Sequence, residues 1–170
     1  MSKAFTRESD DQPDLTAVPR QTSPLPPGAK NYLTPDGARR LREERDRLVQ
    51  VERPRLAVSP DDKDARRKLQ VLDQRIRYLA QSLDSAVVVP PPVGVEDRIR
   101  FGATVTVKEH GGAESRYRIV GVDEIDIERG WVSWLSPIAK ALLNAKLGQR
   151  VRFTLPSGEE ELEIVGVAYE

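Results

Sequence analysis

The chain has no cysteine, one histidine and one methionine in 170 residues, and aromatic side chains make up only 5% of it. Without thiols, disulfides and thiolate nucleophiles are excluded. One imidazole cannot build a histidine metal site, which needs several convergent donors. His110 is followed by Gly111 and Gly112, so it is expected in a turn. No apolar run approaches the ~20 residues that a bilayer span requires, and the N-terminus lacks the apolar stretch of a secretion signal. The cytoplasm is therefore the expected compartment, with no membrane partner. No phosphate-cradling glycine loop, nucleophile–base pair or metal-ligand spacing occurs. No enzymatic activity, metal or cofactor is expected.

Charge and proline are plentiful. Thirteen prolines and a charged fraction of 32% describe a chain with much of its length exposed, and 38% hydrophobic residues favour an elongated module beside a small globular one. Lys plus Arg and Asp plus Glu both number 27, but the charge is uneven. Residues 31–85 hold 13 basic and 10 acidic side chains, whereas residues 86–170 hold 10 and 13. A basic module joined to an acidic one suggests that the first approaches something anionic. Residues 1–30, rich in Pro, Asp and Ser with almost no apolar periodicity, are expected to be a disordered tail.

Between Ser59 and Leu83, the residues Ala65, Leu69, Leu72, Ile76, Leu79 and Leu83 mark one stripe at spacings of three and four. This predicts a helix packed along a seam. Ser59 as N-cap, Pro60 at the first position and Asp61 and Asp62 in the first turn would start it. Upstream, Thr34-Pro35-Asp36 starts a second helix with Leu41, Leu48, Val51 and Val58 at seam positions, and Pro54 predicts a bend near Glu52 to Pro54. Together they predict an antiparallel coiled-coil hairpin over residues 31–85, with its tip at Ser59 to Asp64. Its outer face carries Arg39, Arg42, Arg53, Arg66, Arg67, Arg75 and Arg77. Two readings stand for this face: local pairing with Glu43, Glu44, Asp46 and Asp73, or contact with nucleic-acid phosphates, which guanidinium grips bidentately.

A Pro-rich linker over residues 86–97 marks a domain boundary. Beyond it the period changes to two. Strands are expected at Ala103 to Val107, Arg116 to Val122, Trp131 to Trp134, Val151 to Leu155 and Glu161 to Ala168, with one short helix capped by Ser136 and opened by Pro137. The fold class is α+β, the hairpin followed by a small antiparallel sheet domain over 98–170. Trp131, Trp134, Tyr117, Phe101 and Phe153 are expected in its core.

Several segments carry a resemblance: Asn31-Tyr32-Leu33-Thr34-Pro35-Asp36-Gly37, Glu52-Arg53-Pro54, Leu72 to Leu79, Phe101-Gly102-Ala103, Tyr117 to Ile125, and Ser136-Pro137-Ile138-Ala139-Lys140-Ala141-Leu142-Leu143. In order over residues 31–170, they resemble the bacterial Gre factors, closest to the GreB branch. The resemblance implies an FKBP-like C-terminal domain and a monomer that binds RNA polymerase. In the family that domain docks at the rim of the secondary channel and the hairpin enters it, within reach of nascent RNA. It implies that Asp123, Glu124, Ser136 and Pro137 face the polymerase. It also implies a tip sequence Gly-Asp-x-Ser-Glu-Asn, whose two acids help hold a second Mg²⁺ for cleavage of backtracked RNA.

The tip departs from that pattern. The motif is absent, and the chain is about a dozen residues short between Pro54 and Leu72, which costs each arm roughly 9 Å at 1.5 Å per residue. Asp61, Asp62 and Asp64 are the acids left there, and helix capping accounts for them without metal. The leading expectation is a regulator that occupies the channel without supporting cleavage. The alternative is an active cleavage factor using Asp61, Asp62 or Asp64. A peptidyl-prolyl isomerase is the remote third, suggested by fold alone.

Overall fold

The computed structural model describes residues 24–58, 62–94 and 96–170. Residues 1–23 of the expected disordered tail lie outside them, as do Ser59, Pro60 and Asp61.

Strand β1 (Asn31–Leu33) leads into helix α1 (Pro35–Arg47), which Thr34 caps by accepting the Gly37 N–H at 2.9 Å. The helix continues through a π-helical turn at Leu48–Glu52 into α2 (Arg53–Ala57). The wide turn is where Pro54 makes itself felt, since a proline cannot donate to the ladder behind it. Instead of a break, the backbone adopts one turn of i→i−5 bonding, with the Arg53 N–H donating to the Leu48 carbonyl. That adds a residue to the turn and rotates everything after it by about 100°. Val58, beyond the turn, thereby leaves the seam that heptad counting assigns it and is 79% exposed, while Val51, within the turn, is 40% exposed.

The return helix α3 (Lys63–Ser85) starts with Asp62, whose carboxylate accepts the Asp64 N–H at 2.9 Å. Its start is therefore later than the expected Ser59 cap. Arg75 reaches both oxygens of Glu44 at 2.7 and 3.0 Å, and Arg53 reaches Asp73 at 2.8 Å, so the two arms run antiparallel. Their apolar contact is strongest at the base, where Leu33, Ala38, Leu41 and Leu79 are buried with Leu48 and Leu83 against them.

The expected linker begins as structure. Strand β2 (Ala86–Val88) pairs in parallel with β1, and the Val89 N–H donates to the Leu33 carbonyl. Only from Pro90 onward is the chain free of strand pairing. Strands β3 (Ala103–Glu109), β4 (Glu114–Val120), β5 (Trp131–Ser133), β6 (Arg150–Leu155) and β7 (Gly158–Tyr169) form one sheet in the order β5-β4-β3-β7-β6. The sheet is mixed, because β5 runs parallel to β4 after a loop that includes a 3₁₀ turn at Val122–Glu124. Helix α4 (Pro137–Leu142) buries Ala139 and Leu142 against Ile99, Val105, Val107, Ile119, Phe153 and Ile164.

Of the aromatics expected in the core, Phe153 is buried there, with Phe101, Tyr117 and Trp134 packed at its edge. Trp131 is different. Its ring receives the guanidinium groups of Arg40, Arg118 and Arg129 at 4.8, 5.0 and 5.3 Å. Among the described residues, no helix is long and apolar enough to cross a membrane.

Candidate functional site

Three places on the molecule carry the residues singled out in the sequence: the α4 corner, the joint between arms and sheet, and the arms themselves.

At the corner, Ser136 is the α4 cap, its Oγ accepting the Ala139 N–H at 3.3 Å. Pro137 at the first helical position needs no N–H partner and is exposed. The corner is fixed from behind, because the Trp134 N–H donates to the Val120 carbonyl and the Ser136 N–H to the Ser133 carbonyl. Ser136 and Pro137 are therefore a rigid, accessible pair.

Asp123 and Glu124 do not share that surface. The Glu124 side chain is 1% exposed and lies at the base of the first arm. It accepts the Thr34 N–H at 3.0 Å, the Thr34 hydroxyl at 2.5 Å and the Gly121 N–H at 3.0 Å. Asp123 accepts the hydroxyls of Tyr78 and Ser82 from the second arm. Both carboxylates, expected from the resemblance to face the polymerase, are engaged within the chain itself, Glu124 buried and Asp123 half-buried. Sequence reading also missed Thr34, Gly37, Tyr78, Ser82 and Gly121 as their partners. Gly37 gave a signal, since glycine in a first helical turn costs about 1 kcal/mol against alanine and needs a reason.

On the arms, local pairing holds for part of the basic face. Arg39 pairs with Asp36 and Glu43, Arg53 with Asp73 and Arg75 with Glu44. Arg39 holds the Asp36 carboxyl below its usual range, chiefly through their hydrogen bond, and Glu44 holds the Arg75 guanidinium above its own. Arg42, Arg66, Arg67 and Arg77 are exposed, and no ion pair engages them among the described residues. On α3, Arg66, Arg67 and Arg77 fall within about 100° of one another around the helix axis at 3.6 residues per turn, which makes one cationic face.

At the tip, Asp62 is occupied as a cap, and Asp64 is exposed one residue into the helix. Asp61 lies outside the described residues. Among the described residues no group of three metal-ligating side chains comes together.

Residues 94–169 match the family described as transcription elongation factor, GreA/GreB, C-terminal. The transcription elongation factor GreB of Neisseria meningitidis serogroup B is 38% identical over 154 residues, covering 82% of this chain and 94% of that protein. This chain belongs to the GreA/GreB family. The GreA of Alkalilimnicola ehrlichii is 41% identical over 156 residues, covering 83% and 99%. Among solved structures, a GreA/GreB factor from Nitrosomonas europaea is 22% identical with a TM-score of 0.41, covering 82% of this chain and 100% of that one.

The coverages contain a second fact about this Gre-family chain. Of its 170 residues, 82% is about 139, whereas the alignment with the Neisseria GreB runs over 154. About 15 positions therefore lack a counterpart here. The GreA match leaves the same difference, with 83% being about 141 against 156.

Proposed function

We propose that this Gre-family elongation factor binds RNA polymerase, places shortened arms in the secondary channel, and regulates elongation without supporting transcript cleavage. The observation that carries the reading is the length and chemistry of the arms. The first runs from Pro35 to Ala57 and the second over the 23 residues Lys63–Ser85, about 35 Å each at 1.5 Å per residue. On the resemblance, the missing positions are assigned to the stretch between Pro54 and Leu72, where the family tip motif belongs. A Mg²⁺ ligand must come within about 2 Å of the ion. Arms shorter by several ångströms, ending in a capping Asp62, do not supply one.

In this reading the arms are a truncated coiled coil and the sheet domain has the FKBP-like fold of the family. The protein works as a cytoplasmic monomer. Ser136 and Pro137 dock on the polymerase, and the free cations Arg42, Arg66, Arg67 and Arg77 lie where phosphates of nascent RNA would pass. Competition tests it. Excess protein is expected to displace a cleavage-active Gre factor from polymerase and to suppress its cleavage of backtracked RNA. A cleavage rate unchanged at saturating protein would overturn the reading.

A further inference from the structure

The arms and the sheet domain meet at a joint with an uneven division of labour. Its apolar part is ring packing, with Tyr32 against Trp134 at 5.0 Å and against Phe101 at 5.8 Å. Such contacts attract without fixing one angle, because several ring geometries have similar energy. Its polar part is directional. Two consecutive acids on one 3₁₀ turn divide between the two arms, Glu124 gripping Thr34 at the start of the first and Asp123 gripping Tyr78 and Ser82 on the second. The backbone has been cleared for them. A Cβ at Gly37 would stand 1.9 Å from Glu124 Oε1, and one at Gly121 would stand 2.1 Å from the Tyr32 carbonyl oxygen. Buried, charge-assisted hydrogen bonds of this kind hold a single geometry far more firmly than ring contact does.

We propose that Asp123 and Glu124 are positioning residues, which set the angle at which the arms leave the sheet domain and so decide where the arm tips arrive on a docked polymerase. They act through Thr34, Tyr78 and Ser82 and touch no partner themselves. The last step of this inference rests on the polymerase reading, whereas the angle belongs to the free protein.

The test uses the absence of cysteine. Spin labels at Gln70→Cys on α3 and Thr154→Cys on β6, both exposed sites, report the arm-to-sheet distance by pulsed electron paramagnetic resonance. The parent is expected to give one narrow distribution. Glu124→Ala and Asp123→Ala are expected to broaden it about twofold or more with helicity by circular dichroism unchanged, since loss of a charged hydrogen bond raises the open fraction about tenfold or more. Tyr78→Phe, which removes one hydroxyl and keeps the ring, is expected to broaden it less. It decides the matter if the carboxylate variants fail to fold. An unchanged distribution in the folded variants would overturn the proposal. In the presence of polymerase, the broadened variants are expected to bind within about threefold of the parent but to lose their effect on elongation by about tenfold. Broadening with undiminished effect would overturn the positioning role. Failure of the parent to bind polymerase would sink the polymerase reading and leave the distance result standing.

Discussion

Gly37 is a glycine because of Glu124. The two are 87 positions apart, yet a methyl group at Gly37 would overlap the Glu124 carboxylate, which Thr34 and Gly121 hold in place. In an exposed helix, glycine to alanine normally stabilises by up to about 1 kcal/mol. Here the sign reverses. Gly37→Ala is expected to cost about 2–4 kcal/mol in urea unfolding, through overpacking and the displaced carboxylate. Gly111→Ala, with nothing within 4 Å of its added Cβ, is the control and should stay within about 0.5 kcal/mol.

The π turn makes a second contrast. Leu79 is fully buried among Leu33, Ala38 and Leu41, so Leu79→Ala should cost about 2–5 kcal/mol. Val58 falls on the same heptad seam by counting but is 79% exposed. Val58→Ala should therefore stay within about 0.5 kcal/mol. A loss of similar size at both sites would mean that the seam runs unbroken past Pro54.

These contrasts mark how far the sequence could be read. Period-two alternation located β3, β6 and β7, and Thr34 and Ser136 were recognisable as caps because capping is a local matter of one side chain and the next turn. Pro54 announced an irregularity without its form, since a kink, a break and a π turn all relieve the missing N–H. The parallel pairings β1–β2 and β4–β5 were hidden because side-chain alternation marks a strand without giving the direction of its partner. The intramolecular partners of Asp123 and Glu124 were hidden for a related reason. Two acids in a loop look like a surface, and the groups that engage them come from Thr34 and Tyr78, 90 and 45 positions away.

Acid should weaken the fold modestly and in one window. Asp36, Asp97 and Glu161 all have carboxyls held below their usual range, chiefly by hydrogen bonds from Arg39, Lys146 and Arg152. A lowered folded pKa gives stability that is present above the unfolded value, near 4, and is lost as pH falls through the folded one. The urea midpoint should therefore be flat from neutral pH to about 5 and fall below about 4. Lys146→Met should remove only the Asp97 share of that decline. All three carboxylates are near the surface, so the effect should shrink in high salt. A midpoint that rises on acidification would contradict these pairings.

Docking should depend on the α4 corner. Ser136→Ala with Pro137→Ala removes the cap oxygen and the exposed ring, leaving Ala139 and Leu142 in the core. The loss of one cap costs about 1 kcal/mol, too little to unfold the sheet. Polymerase binding should weaken about tenfold, which at 1.4 kcal/mol per decade is the loss of one good contact. Unchanged affinity in a folded double variant would place the interface elsewhere on the protein.

The central claim, that arms of this length bring no metal ligand to the polymerase, is tested most directly by following transcript cleavage in a stalled, backtracked polymerase complex at saturating protein and millimolar Mg²⁺. Short arms and a capping Asp62 predict cleavage no faster than polymerase alone, and no change when Asp61, Asp62 and Asp64 are together replaced by asparagine. Rapid Mg²⁺-dependent cleavage by the unaltered protein, lost in that triple variant, would contradict the account and make those three aspartates its catalytic tip.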